Sequence, residues 1–261
     1  MDVKKNQKLL DDPSYFCAHH VGGRGGGVDF PGLPKNFESE MVSVIYDADE
    51  ECTDHIEERW SNKKVIVKPY CLSNENGFTK FNVNHDPYSS SLYELNPEYG
   101  NYYHVGHDKQ TDYLNSGAMR TLKSIDIETK KLDTLVEDKM VPSPDFLSIS
   151  CAGAELPILK GSDNCLTNSI VAVSARVHFA EVRNKGPLFG ELDQFMRKHN
   201  FMLVNIIPHY LGYNRISKNC RGAGIPLSGD TLYLYRPDRV DGKTNLKIAL
   251  KLEKLALASL T

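Results

Sequence analysis

The stretch YFCAHHVGGRGGG (residues 15–27), followed after a short interval by MVSVIYD (residues 41–47), decides how this chain folds. The first is an apolar run broken by glycines, the pattern of a strand over Tyr15 to Val21 that ends in a glycine-rich turn. The second is β-branched and apolar and ends on Asp47, and the charged segment behind it sets Cys52, Ile56 and Trp60 on one helical face. Working outward, KVIVKPYCL (residues 64–72) predicts a third strand, and Gly77 to Val83 a further one across the turn Asn74 to Gly77. Lys131 to Val136 opens a short helix, Asp145 to Cys151 reads as a strand, and AELPILKG (residues 154–161) makes another short helix. Ser169 to Phe179 is a long strand whose first half is apolar enough to be covered on both faces. Leu188 to His199 is an amphipathic helix with Leu188, Leu192, Phe195 and Met196 inward, and Phe201 to Ile207 and Thr231 to Tyr235 supply two late strands.

Strands alternating with helices imply an α/β fold with a mostly parallel central sheet and helices on both faces. One late strand must run antiparallel, because only a loop joins it to its predecessor. Such sheets bind ligands at the carboxyl ends of their strands, beside the point where strand order reverses. Gly22, Gly23 and Gly25 occupy that place after the first strand, where bare backbone can approach a ligand closely. Asp47 occupies it after the second, about 20 residues on, where a carboxylate can accept both hydroxyls of a ribose. The alternative for Asp47 is a helix-capping acid, since Asp49, Glu50 and Glu51 follow at once. The dinucleotide spacing G-x-G-x-x-G fails because Val28 stands where the last glycine is required, and no phosphate loop is present. An adenosine carrier without a pyrophosphate fits best, which favours S-adenosylmethionine over NAD.

The 261 residues are 40% hydrophobic and 25% charged, with 31 basic against 34 acidic side chains and a net charge of −3. A sizeable core is available, extended disorder is excluded, and there is no basic field for nucleic acid. No run approaches the roughly 18 apolar residues of a spanning helix, and the opening MDVKKNQKLLDD is polar. A cytoplasmic chain with no membrane partner is therefore expected. Residues 1–14 read as a polar arm, residues 15–237 as one domain, and residues 238–261 as a C-terminal helix packed on this domain or on a second copy in a homodimer. Within the domain, residues 84–117 read as an irregular insertion. Its tyrosines, from Tyr88 to Tyr103, either close over a sugar-like or polyketide-like acceptor or cover the sheet edge. The six cysteines form no CxxC pair and are expected to be free thiols. His104 and His107 have no obvious third ligand, so no metal site is expected.

These motifs resemble the FkbM-type methyltransferases. VGGRGGGVDFPGLP followed by VSVIYDADEEC is similar to the family's opening turn and second-strand acid. KLDTLVEDKMVPSPDFLSISCAGAELPILKG is similar to its Leu-Asp helix, fourth strand and Ala-Glu-Leu-x-x-Leu-Lys-Gly helix. GPLFGELDQFMRKHNFML and SGDTLYLYRP are similar to the segment before the sixth strand and to the closing strand. The resemblance covers about Tyr15 to Arg236 and implies a Rossmann-like class I methyltransferase fold that uses S-adenosylmethionine. The reaction it implies is methylation of a hydroxyl on a small molecule or glycan. Four acids common in the family are replaced, by His20, Ser150, Ala152 and Arg176, which keeps open a binding or scaffold protein that has lost catalysis. The carried-over cofactor wall is Gly22, Gly23, Gly25, Asp47, Ser150 and Gly153. Arg176 and Glu155 fall at the substrate mouth, and His178 is the best-placed titratable group for a base.

Overall fold

The computed structural model describes residues 16–25, 41–49, 52–53, 55–56, 65–96, 119–211, 225–239 and 251–252. In chain order the strands are β1 (Phe16–Val21), β2 (Met41–Tyr46), β3 (Val65–Lys68), β4 (Cys71–Leu72), β5 (Gly77–Asn84), β6 (Thr121–Lys130), β7 (Phe146–Ile149), β8 (Ala172–His178), β9 (Phe201–Leu211) and β10 (Ile225–Tyr235). The helices are α1 (Leu132–Glu137), α2 (Glu155–Lys160), α3 (Asp163–Asn168) and α4 (Phe189–Lys198). The arm, most of the C-terminal helix, Trp60, Cys220, His104 and His107 lie outside the described residues.

Seven strands form one sheet in the order β3-β2-β1-β7-β8-β10-β9, and β10 runs antiparallel to both its neighbours. This is the mostly parallel doubly wound arrangement expected from the sequence. Strand order reverses beside β1, which lies between β2 and β7. The central strands are buried along their length, which is why they read as mostly apolar runs, with His19, His20, Ser43 and Ser148 set among them. Alternation along β2 and β3 sends Val44, Tyr46 and Ile66 into the main core, while Ile45 and Val67 pack with Ile56. That part of the sheet is therefore covered on both faces.

Four elements differ from expectation. The run over residues 64–72 is two strands in different sheets, because Pro69 has no amide to continue a ladder and the Lys68 carbonyl turns to accept the amides of Asp47 and Tyr70. β6 was not legible: its Ile125 and Ile127 alternate, but Lys123, Asp126, Glu128 and Lys130 lie among them and most of the strand is exposed. With β4 and β5 it forms a second, three-stranded sheet. α3 is a further unpredicted element, and it buries Cys165 and Leu166. The late strands are longer than expected, 11 residues each, and pair through Pro208 and Gly229, both strand breakers in isolation. Pro208 is tolerated because β9 is the sheet's edge.

The start of the insertion, through Asn96, is built of bends, a short turn over Pro87–Ser89 and isolated bridges. Its residues fold back over the sheet end: Asn82 and Ser91 bond reciprocally through their backbones, and the Ser91 hydroxyl donates to the Ala152 carbonyl at 2.8 Å.

Candidate active site

The carboxyl ends of β1, β2, β7 and β8 open into a cleft of about 870 Å³. Its sheet face carries His20, Ser148 and Ser174, which stand side by side because their strands pair in that register. The His20 Nδ1 lies 3.0 Å from the Ser148 hydroxyl oxygen. Burial drives the His20 pKa down to about 4, against the Gly22 backbone, which raises it, so the imidazole is neutral at pH 7. Its neighbour His19 points to the other face, fully buried, with Nδ1 3.0 Å from the Tyr46 hydroxyl and its pKa pushed down to about 3 by burial. The alternation of a strand separates the two histidines, so they do not share one ligand.

The glycine turn divides into different tasks. Gly22 lines the cleft with φ of 98°, and a Cβ there would lie 2.3 Å from the Ser150 carbonyl oxygen. Only glycine satisfies both conditions. Gly23 is buried away from the cleft, where a Cβ would meet Ile45 and Ile56. Gly25 closes the turn that begins at Gly23.

Asp47 lines the cleft at the end of β2 and also braces the turn. Its carboxylate accepts the Arg24 amide at 2.7 Å and the Asp49 amide at 3.0 Å. Burial raises its pKa, partly offset by those amides and by the Arg24 charge. The Arg24 guanidinium pairs with Asp49, whose carbonyl takes the amides of Cys52 and Thr53 and so starts the following helix. Asp47 keeps acceptor capacity, since an ionised carboxylate has about four lone-pair sites.

Ser150, Ala152 and Arg176 line the same cleft as His20, so the four positions that depart from the family pattern do come together. Arg176 is not free there: it donates to Asp230 at 3.0 and 3.4 Å, and His209 lies 3.1 Å from the same carboxylate. Glu155, expected at the substrate mouth, is 2% exposed and turned inward. It accepts the amides of Cys151 and Gly153 at 2.9 Å each, and burial raises its pKa against those bonds. Gly153 adopts φ of 106° and lies beneath the Arg183 side chain rather than on the cleft surface.

His178 ends β8 but does not line the cleft. Its ring nitrogens are buried without a hydrogen-bond partner among the described residues, and burial, with the charges of Arg183 and Arg176, lowers its pKa to about 4. Such a group is a poor acceptor of a proton near neutrality.

Sequence reading missed Arg183, which is 5% exposed and donates to the carbonyls of Ser89 (2.7 Å) and Tyr93 (3.2 Å). It fixes the ordered part of the insertion, from which Pro87, Tyr88, Ser90 and Leu92 line the cleft. Also missed was the opposite wall, Phe81, Val83, Lys123, Ile125 and Ile127 of the second sheet. The signal available was the alternation of Ile125 and Ile127. Among the described residues no group of three His, Cys, Asp or Glu could hold a metal ion, the five described cysteines are free thiols, and no helix is long and apolar enough to cross a membrane.

A doubly wound sheet with a glycine turn and a second-strand acid at its reversal point defines an α/β protein built to bind a nucleoside-bearing cofactor. Its family is also known: the methyltransferase FkbM domain matches residues 12–203, more than half of the 261, and the chain belongs to that family of S-adenosylmethionine-dependent methyltransferases. The similar solved structures include the following three. The FkbM methyltransferase from Methylobacillus flagellatus KT has 11% identity and a TM-score of 0.45, over 85% of this chain and 44% of that one. Precorrin-6y C5,15-methyltransferase from Geobacter metallireducens GS-15 has 8% identity and a TM-score of 0.41, over 90% and 87%. Magnesium protoporphyrin IX methyltransferase from Synechocystis PCC 6803, solved with S-adenosylmethionine bound, has 5% identity and a TM-score of 0.42, over 89% and 77%. No curated protein matches the sequence.

Proposed function

We propose that this chain methylates a hydroxyl group of a small-molecule or glycan acceptor, with the cofactor held between the glycine turn and β2. The observation that carries the reading is Asp47. Among the described residues that line the cleft, it is the carboxylate engaged by backbone amides rather than by a cation. Its remaining lone pairs suit the two hydroxyls of a ribose. Gly22 and Ser150 form the adjoining wall, and Gly23, Gly25 and Gly153 support the turns behind it. The cleft is large enough for a nucleoside cofactor, since drug-sized ligands occupy roughly 300–1,000 Å³.

When bound, S-adenosylmethionine supplies a methyl group on a sulfonium, which passes in line to the acceptor oxygen as the carbon–sulfur bond breaks and the hydroxyl proton leaves to water. Binding and alignment can supply most of the acceleration that such a displacement needs. His20, Ser150 and Ala152 leave the cleft face beside β1 and β7 without a carboxylate. That observation favours a second reading, a binding or scaffold protein that keeps the cofactor fold without turnover.

Calorimetry with S-adenosylhomocysteine, S-adenosylmethionine and NAD separates these readings. Binding of the first two supports the methyltransferase, no binding supports the scaffold, and preference for NAD overturns both. Turnover on a panel of hydroxylated acceptors, repeated with Ser150→Asp combined with Ala152→Glu, then tests activity. Gain of cofactor affinity in that variant marks a site that has drifted from catalysis, and loss of wild-type turnover marks a site rebuilt around these residues.

A further inference from the structure

Three cationic side chains line the cleft: Arg24, Arg176 and Lys123. Arg24 is neutralised by Asp49 and Arg176 by Asp230, whereas among the described residues Lys123 has no ion-pair partner. Lys123 stands on β6, opposite Val83 of β5, and the next pair on the same face is Ile125 opposite Phe81. Residues two apart on a strand share a face, so Phe81, Val83, Ile125 and Ile127 form one apolar plate with Lys123 at its end. The plate faces the cleft, and Ile125 is 39% exposed. A surface this apolar gains by being removed from water.

We propose that this plate is the acceptor subsite, and that it takes a flat apolar skeleton carrying an anionic group that pairs with Lys123. This rests on the methyltransferase reading above and narrows it toward an apolar small molecule and away from a glycan. The cleft's two uncommitted charges serve different ligands: Asp47 suits the hydroxyls of a ribose, and Lys123 suits an anion. A glycan needs a wall of hydrogen-bonding groups, but the four side chains of the plate offer none. At about 870 Å³ the cleft approaches the upper end for a single ligand, which leaves room for an acceptor beside a cofactor.

The test uses two fluorescent probes with the same aryl skeleton, 8-anilinonaphthalene-1-sulfonate and its uncharged counterpart N-phenyl-1-naphthylamine, titrated into the full chain. The expected result is that both bind the wild type, and that Ile125→Asp and the milder Ile125→Thr weaken both. Lys123→Ala should weaken only the sulfonate, by roughly three- to tenfold. Phe78→Ser, on the opposite face of the same sheet, should change neither. S-adenosylhomocysteine affinity, measured on every variant, should stay at the wild-type value and so report that each is folded. Failure of the sulfonate to bind the wild type, loss of binding in Phe78→Ser instead of Ile125→Thr, or equal effects of Lys123→Ala on both probes overturns the proposal. If the probes behave as expected while the wild type binds no S-adenosylhomocysteine, the plate stands as a ligand site and the methyltransferase reading fails.

Discussion

Arg176 and Asp230 are directly opposite in the β8–β10 ladder, and the guanidinium donates to both carboxylate oxygens at 3.0 and 3.4 Å. Arg176 thus has its counter-charge on the neighbouring strand, and the cleft is not left with a dominant positive charge. Both side chains are partly exposed, at 41% and 28%, so the pair contributes little to folding, about 1 kcal/mol or less. Asp230→Asn is expected to leave urea-denaturation stability within that margin while freeing Arg176. Binding of 8-anilinonaphthalene-1-sulfonate should then strengthen, whereas the uncharged naphthylamine should not respond.

Asp47→Ala removes a carboxylate that could make charge-assisted hydrogen bonds worth roughly 1.5 to 3 kcal/mol each. Calorimetry is expected to show S-adenosylhomocysteine affinity falling by roughly tenfold or more. Because Asp47 also accepts the Arg24 and Asp49 amides, on Oδ2 and Oδ1 respectively, Asp47→Asn serves as the partner variant: its single amide oxygen keeps one of the two bonds while the charge is lost. Equal affinity in wild type and both variants would reduce Asp47 to a turn brace.

Gly22→Ala should be severe. The substitution places a methyl group 2.3 Å from the Ser150 carbonyl oxygen at a φ of 98° that L residues rarely adopt. A loss above about 2 kcal/mol in denaturant unfolding is expected. Gly77→Ala is the control, with φ of 146° and open space around the added carbon, and should lose less.

Arg183→Met removes this donor from both carbonyls, and since the Ser89 carbonyl keeps the Asn84 side-chain amide at 2.8 Å, the Tyr93 carbonyl bears the loss. Each unsatisfied buried acceptor costs about 1–3 kcal/mol. Faster hydrogen exchange confined to the backbone around residues 89–96 is expected, together with a lower unfolding midpoint, because this side chain ties the cleft wall to the loop after β8. Unchanged exchange there would mean that the reciprocal Asn82–Ser91 backbone bonds hold the wall alone.

The mostly parallel sheet was legible because β1, β2, β7 and β8 are largely buried and therefore mostly apolar. Gly22 and Asp47 were legible because turn chemistry and the distance between two strand ends both leave marks in sequence. Arg176 and Asp230 were not, since they are 54 residues apart and meet only through an antiparallel register. β6 was hidden for a different reason: a strand with one face toward a cleft and the other toward water carries charge in its pattern, so Lys123 and Ile125 looked like surface. Glu155 shows the converse error, a motif acid whose oxygens are taken by its own turn.

Two histidines set the expected response of stability to acid. Burial holds the His19 pKa at about 3 and the His20 pKa at about 4, both below the ordinary value of 6.5. The unfolded chain therefore takes up protons below about pH 6.5 that the folded chain refuses, so stability falls as pH drops from 7.5 toward 4. By pH 5 each histidine should have cost roughly 2 kcal/mol relative to neutral pH. Asp47 and Glu155 act in the opposite sense: burial raises their pKa, so the folded state gains protons first and part of the loss is recovered at lower pH. His19→Gln isolates one contribution, because glutamine does not titrate and can still meet the Tyr46 hydroxyl. Urea unfolding measured from pH 7.5 to 5.5, above the main carboxylate range, should show wild-type stability falling with pH and the variant falling with a slope smaller by up to one proton. Parallel slopes would mean that His19 takes up its proton as readily in the folded protein as in the unfolded chain and that burial does not control its charge.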